Sequence, residues 1–129
     1  MNIKTSLLVF AGGAAGAVLR WGVGVSLGHR YKGQFPLATF LINVSGAFLI
    51  GALSTLFSIE WYHRHEGDLA ALIMTGFLGG YTTFSSYQME TVTLHKEQVY
   101  RTASLYWFGS VVAGLAAAAL GAWAVRLTA

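Results

Sequence analysis

The charges of this chain are placed so that four long stretches carry almost none of them. Residues 33–59 are 27 positions without Asp, Glu, Lys or Arg, residues 69–89 are 21, and residues 102–125 are 24. Residues 5–19 are also uncharged, and after Arg20 the apolar character resumes through Trp21 to Gly28. A helix needs about 20 apolar residues to cross the hydrocarbon of a bilayer. The pattern therefore predicts an all-α membrane protein, one domain over 1–129, with four transmembrane helices at approximately 4–28, 35–59, 69–94 and 100–126. The polar connections at 29–32, 60–68 and 95–101 leave no room for a catalytic domain, and no enzyme is expected.

Lys4, the apolar run after it and Ala15-Gly16-Ala17 imitate a cleavable signal peptide. Apolarity continues past that point and three spans would remain, which favours a first span. Composition agrees: charged residues are 10%, against about 25% in soluble domains, and the mean hydropathy is +0.57. The net charge of +3 comes from eight scattered Lys and Arg, not from the basic stripe of a nucleic-acid binder. With no cysteine, disulfides, thiolate catalysis and Cys-based metal sites are excluded.

Orientation follows the Lys/Arg bias between loops, and here there is almost none. Lys4, Arg64 and Arg126 fall on one side; Arg30, Lys32, Lys96 and Arg101 fall on the other, joined by Arg20 if it snorkels that way. Either the signal is weak, as in many small proteins, or the chain inserts both ways and pairs with an inverted copy. Gly12/Gly16, Gly24/Gly28 and Gly76/Gly80 have the spacing that lets helix backbones approach closely, and the Ala116–Ala119 run serves the same end.

Polar groups at membrane depth require a reason. Arg20 is either an anchor reaching for the interface or the source of an electropositive vestibule. The first span has no carboxylate, which argues against a proton-coupled small multidrug transporter. Thr39, Asn43 and Gly46 share one face of the second span; the Asn43 amide either joins helices or offers donors to an anion. In the third span, Gly79-Gly80 followed by Thr82-Thr83 makes a poor continuous helix. Such a break is either a kink repaired by hydroxyls or a set of carbonyls able to coordinate a cation. Phe84 and Tyr87 follow at i, i+3; the partly positive edges of aromatic rings suit a small anion. Glu90 either anchors Arg20 or a loop cation, or marks the membrane boundary. Tyr106 and Ser110 share a face of the fourth span, as a hydroxyl track or as ordinary interhelical bonds.

These segments resemble the CrcB, or Fluc, fluoride channel family. The resemblance is carried by Gly12–Gly16 leading to Ala17-Val18-Leu19-Arg20, by Thr39 with Ile42-Asn43 and Gly46, and above all by Thr75-Gly76-Phe77-Leu78-Gly79-Gly80 running into Thr82-Thr83-Phe84-Ser85. It implies an antiparallel dual-topology homodimer in the bacterial inner membrane that passively exports fluoride and limits its toxicity. It implies a structural sodium ion at the dimer centre on the main-chain carbonyls of Gly79 and Thr82. It also implies a fluoride pathway through Asn43, Phe84 and Tyr87; Thr39, Thr83, Ser85, Tyr106 and Ser110 are the further hydroxyl candidates for that pathway, and Arg20 is the candidate for its vestibule. The sequence departs from the family at Tyr87, where a phenylalanine is usual, at Ala38, and at Gly114 and Ala118, where hydroxyls are common. Two other readings are a proton-coupled exporter using Glu90 and a helical assembly subunit without transport.

Overall fold

The computed structural model describes residues 2–58 and 66–128, and the described residues are helical apart from short connections. Ile59, the expected end of the second span, and Arg64 of the charge balance lie outside the described residues. The helices are α1 (Ile3–Arg30), α2 (Leu37–Ser58), α3 (Glu66–Leu69), a π-helix π1 (Ala70–Leu78), α4 (Gly79–Tyr81), α5 (Phe84–Lys96) and α6 (Tyr100–Thr128). Asn2 caps α1 by accepting the Thr5 N–H at 2.9 Å, satisfying a donor with no helical partner.

Among the described residues three helices, α1, α2 and α6, are long and apolar enough to cross a membrane. The expected third span is not one continuous helix: π1 and α4 lead into it, two extended residues interrupt it, and α5 completes it. Outward faces carry large apolar side chains, Phe10, Trp21, Val112 and Leu115 among them, all largely exposed. Residues of this kind favour contact with lipid.

Two backbone-to-backbone pairings organise the bundle. A methyl added to Gly12 would strike the Leu72 carbonyl, one on Gly16 the Phe77 carbonyl, and one on Gly80 the Gly13 carbonyl. Small residues at one-turn spacing on α1, π1 and α4 thus let these segments touch along their main chains. Across the molecule, Gly51 of α2 meets the Ala118 carbonyl, and Gly121 of α6 meets the Phe48 carbonyl. Gly24 and Gly28 were expected to pack closely, yet a Cβ at either would meet nothing within 4 Å. The pattern alone does not say which glycines are covered within one chain.

Two apolar clusters flank the interruption. Ile42, Leu78 and Tyr81 form one; Tyr87, Leu94, Ala103 and the fully buried Tyr106 form the other.

Candidate functional site

The interruption is narrow and firmly built. Thr82 has φ −77° and ψ 160°, and Thr83 has φ −150° and ψ 112°, so two β-branched residues take the extended conformation they favour. Thr83 then caps α5: its Oγ1 accepts the Ser86 N–H at 3.2 Å. The side chain of Asn43, reaching across from α2, grips the same residue. Its Oδ1 accepts the Thr83 N–H at 2.9 Å, and its Nδ2 donates to the Thr83 carbonyl at 3.0 Å.

These bonds decide what happens to the carbonyls. In an unbroken helix the Thr83 N–H would bond Gly79 O, and the Ser86 N–H would bond Thr82 O. Asn43 takes the first donor and the Thr83 hydroxyl takes the second. The oxygens of Gly79 and Thr82 are thereby released from the helix ladder. The half-buried Arg20 lies toward one of them, its Nη1 3.4 Å from Thr82 O, so this oxygen already accepts from a cationic group. Hard oxygen donors of this type suit a cation such as sodium.

Beside the break lies an open groove of about 420 Å³, whose lining includes Asn43, Gly79, Thr82, Thr83, Phe84, Tyr87 and Ser110. Seven residues singled out from the sequence therefore converge on one surface. Phe84 is 73% exposed and Tyr87 is 6% exposed; their ring centroids are 5.9 Å apart at 51°. The Tyr87 hydroxyl is directed to α6, donating to the Trp107 carbonyl at 2.7 Å. Its extra oxygen thus has a backbone partner. The Ser110 hydroxyl is different: its Oγ is buried and has no hydrogen-bond partner among the described residues, an arrangement costing about 1–3 kcal/mol unless something polar arrives.

The remaining candidates sit elsewhere. Thr39 Oγ1 donates to Glu90 Oε1 at 2.7 Å, and the Tyr106 hydroxyl donates to Glu90 Oε2 at 2.6 Å. Glu90 therefore joins α2, α5 and α6, and among the described residues it pairs with neither Arg20 nor a loop cation. Ser85 lines a separate open surface with Ser86, Met89 and Glu90. The three-helix role of Glu90 and the Trp107 acceptor were missed in the sequence. The capping role of Thr83 had a signal: a threonine immediately before a helix start, with Ser86 three positions on.

A family model for CrcB-like protein, Camphor Resistance (CrcB), matches residues 7–122. The chain belongs to the CrcB family. Fluoride-specific ion channel FluC 2 of Yersinia pseudotuberculosis is 54% identical over 112 residues, covering 87% of this chain and 89% of the relative. Fluoride-specific ion channel FluC 2 of Brucella abortus is 48% identical over 119 residues, covering 92% of each. A relative in Paracoccus denitrificans, named fluoride-specific ion channel FluC, is 41% identical over 117 residues, covering 91% of this chain and 90% of the relative. CrcB membership agrees with the expectation that the chain is not an enzyme. With three apolar helices of crossing length, it marks a multi-pass membrane protein.

Proposed function

We propose that this chain forms a fluoride channel through which the ion leaves the cytoplasm passively, working as an antiparallel dual-topology homodimer in the inner membrane. Four crossings per copy are part of this reading, with the interrupted segment as the third. The observation that carries it is the groove at the break, lined by Phe84 and Tyr87 together with Ser110, whose hydroxyl is buried beside it without a partner among the described residues. Its fluoride chemistry rests on relatives named as fluoride-specific ion channels.

Fluoride is small, strongly hydrated and accepts hydrogen bonds without donating them. A pathway must replace its water at little net cost while not holding the ion too tightly to leave. Ser110 Oγ offers a neutral donor, and Asn43 has a second N–H beyond the one given to Thr83. The edges of Phe84 and Tyr87 add partial positive charge without a formal countercharge. Thr39, Thr83, Ser85 and Tyr106 supply hydroxyls along the route, and Arg20 raises the potential beside it. Fluoride enters cells in acid surroundings as the neutral acid and dissociates inside, so a leak outward is protective.

The Gly79 and Thr82 carbonyls would hold the structural sodium ion, together with the same pair from a second copy. That ion would supply fixed positive charge at the centre of the assembly. Support for this assignment is that both oxygens have lost their helical donors.

The test is fluoride efflux from liposomes containing the purified protein, followed with a fluoride electrode. Fast flux that requires a counter-ion path is expected. Flux that proceeds without that path and follows a pH gradient would favour a proton-coupled exporter using Glu90. No flux under any ionic condition would favour an assembly subunit.

A further inference from the structure

A second furrow, of about 420 Å³, runs between α5 and α6 and shares no lining residue with the groove at the break. Its basic side chains lie at one end and its large rings at the other. The two helices are joined by a tight turn at Glu97–Val99, closed by the Val99 N–H bonding to Leu94 O at 2.9 Å. Nearest the turn the walls are His95, Lys96 and Ala103, then come Val92 and Ser104, and farthest from it Trp107 and Phe108 beside Thr91. Val92, Trp107 and Phe108 are all exposed, and the rings of Trp107 and Phe108 stand edge to face at 4.6 Å.

The charge at the turn end is unbalanced. Lys96 and Arg101 are exposed cations, and Glu97 is the carboxylate beside them. Among the described residues the ion pair is Lys4 with Asp68, so Lys96 has no carboxylate partner there. His95 packs its ring on Tyr100, 4.9 Å away, without an ion partner. An apolar protein face seated in the furrow would leave Lys96 uncompensated. A molecule with an anionic head and a hydrocarbon tail matches both ends.

We propose that the furrow between α5 and α6 binds an anionic phospholipid, its phosphate against Lys96 and Ser104 and one acyl chain along Val92, Trp107 and Phe108. This rests on the four-crossing reading proposed above, in which the turn between α5 and α6 falls at a membrane surface, where exposed basic residues attract anionic lipid.

The experiment uses the full chain with Trp21, Trp61 and Trp123 replaced by Phe, so that Trp107 alone reports. It is reconstituted in phosphatidylcholine vesicles containing brominated phosphatidylglycerol or, separately, brominated phosphatidylcholine. Quenching of Trp107 should favour the anionic lipid by about fivefold, the effect of one basic side chain near the headgroups. Lys96→Gln should bring that ratio close to one with helical content unchanged, and Lys96→Arg should keep it. Equal quenching by both lipids would overturn the proposal, leaving the furrow a general lipid contact. Absence of quenching by either would also overturn it and assign the face to a second copy. The comparison of the two lipids with Lys96 intact decides the matter even where a variant fails to fold.

Discussion

Asn43 on α2 engages both backbone polar groups of Thr83, 40 positions away, with bonds of 2.9 and 3.0 Å. One side-chain amide thus takes the N–H that a continuous helix would have bound, and adds a donor to the carbonyl that opens α5. The break is therefore held from outside its own segment, and Gly79 O is freed as a consequence.

Asn43→Ala removes both bonds and leaves the Thr83 N–H to find a new partner, while the Thr83 C=O, at the N-cap of α5, still accepts from the helix. At about 0.5–1.5 kcal/mol for each bond, the expected destabilisation is about 1–3 kcal/mol. Fluoride flux should fall at the same time, because the break carries the rings into the groove. Thermal unfolding by size-exclusion recovery, measured beside liposome flux, checks both effects. Unchanged stability would show that the amide does not hold the break.

Phe84→Ile should separate function from folding. At 73% exposure the ring has little packing within its own chain to lose, so folding should survive. Isoleucine keeps much of the bulk but has no ring edge, and flux should be nearly abolished. If flux is unchanged while the protein remains folded, Phe84 is not on the pathway.

Much of this site was legible because its residues are rare in a membrane helix. Adjacent glycines before two threonines announced the break between Tyr81 and Phe84, and a lone asparagine in a 27-residue charge-free run announced Asn43. What stayed hidden involves groups that every residue possesses. The acceptor for Tyr87 is the main-chain carbonyl of Trp107, and no composition or spacing marks one carbonyl over another. Glu90 was visible as an acid near a span end, but its partners lie 51 and 16 positions away on two other helices. The glycine pairs show the same boundary between pattern and placement: Gly12/Gly16 meet π1 and α4, whereas a Cβ at Gly24 or Gly28 would meet nothing within 4 Å among the described residues.

Tyr87→Phe removes the 2.7 Å bond to Trp107 O while retaining the ring. The loss expected is about 0.5–1.5 kcal/mol of stability, the net value of one hydrogen bond. Flux should be close to that of the unmodified protein, since the ring lies 5.9 Å from Phe84 independently of its hydroxyl. Lower thermal stability with preserved flux is the expected pair of readings. A large gain in flux would mean that the hydroxyl obstructs the ion.

Sodium dependence and Asn43 should be coupled, and this links the break to the proposed cation. Exchange of sodium for N-methylglucamine should lower both the melting temperature and the flux of the unmodified protein, as for any ligand that binds the folded state preferentially. In Asn43→Ala the Thr83 N–H is no longer held by the amide and can return to Gly79 O, withdrawing one carbonyl from the cation. More sodium should then be needed to restore stability, visible as a shift of the titration midpoint to higher concentration. A midpoint identical in the two proteins would separate Asn43 from the cation site. A melting temperature indifferent to sodium in the unmodified protein would remove the Gly79 and Thr82 assignment itself.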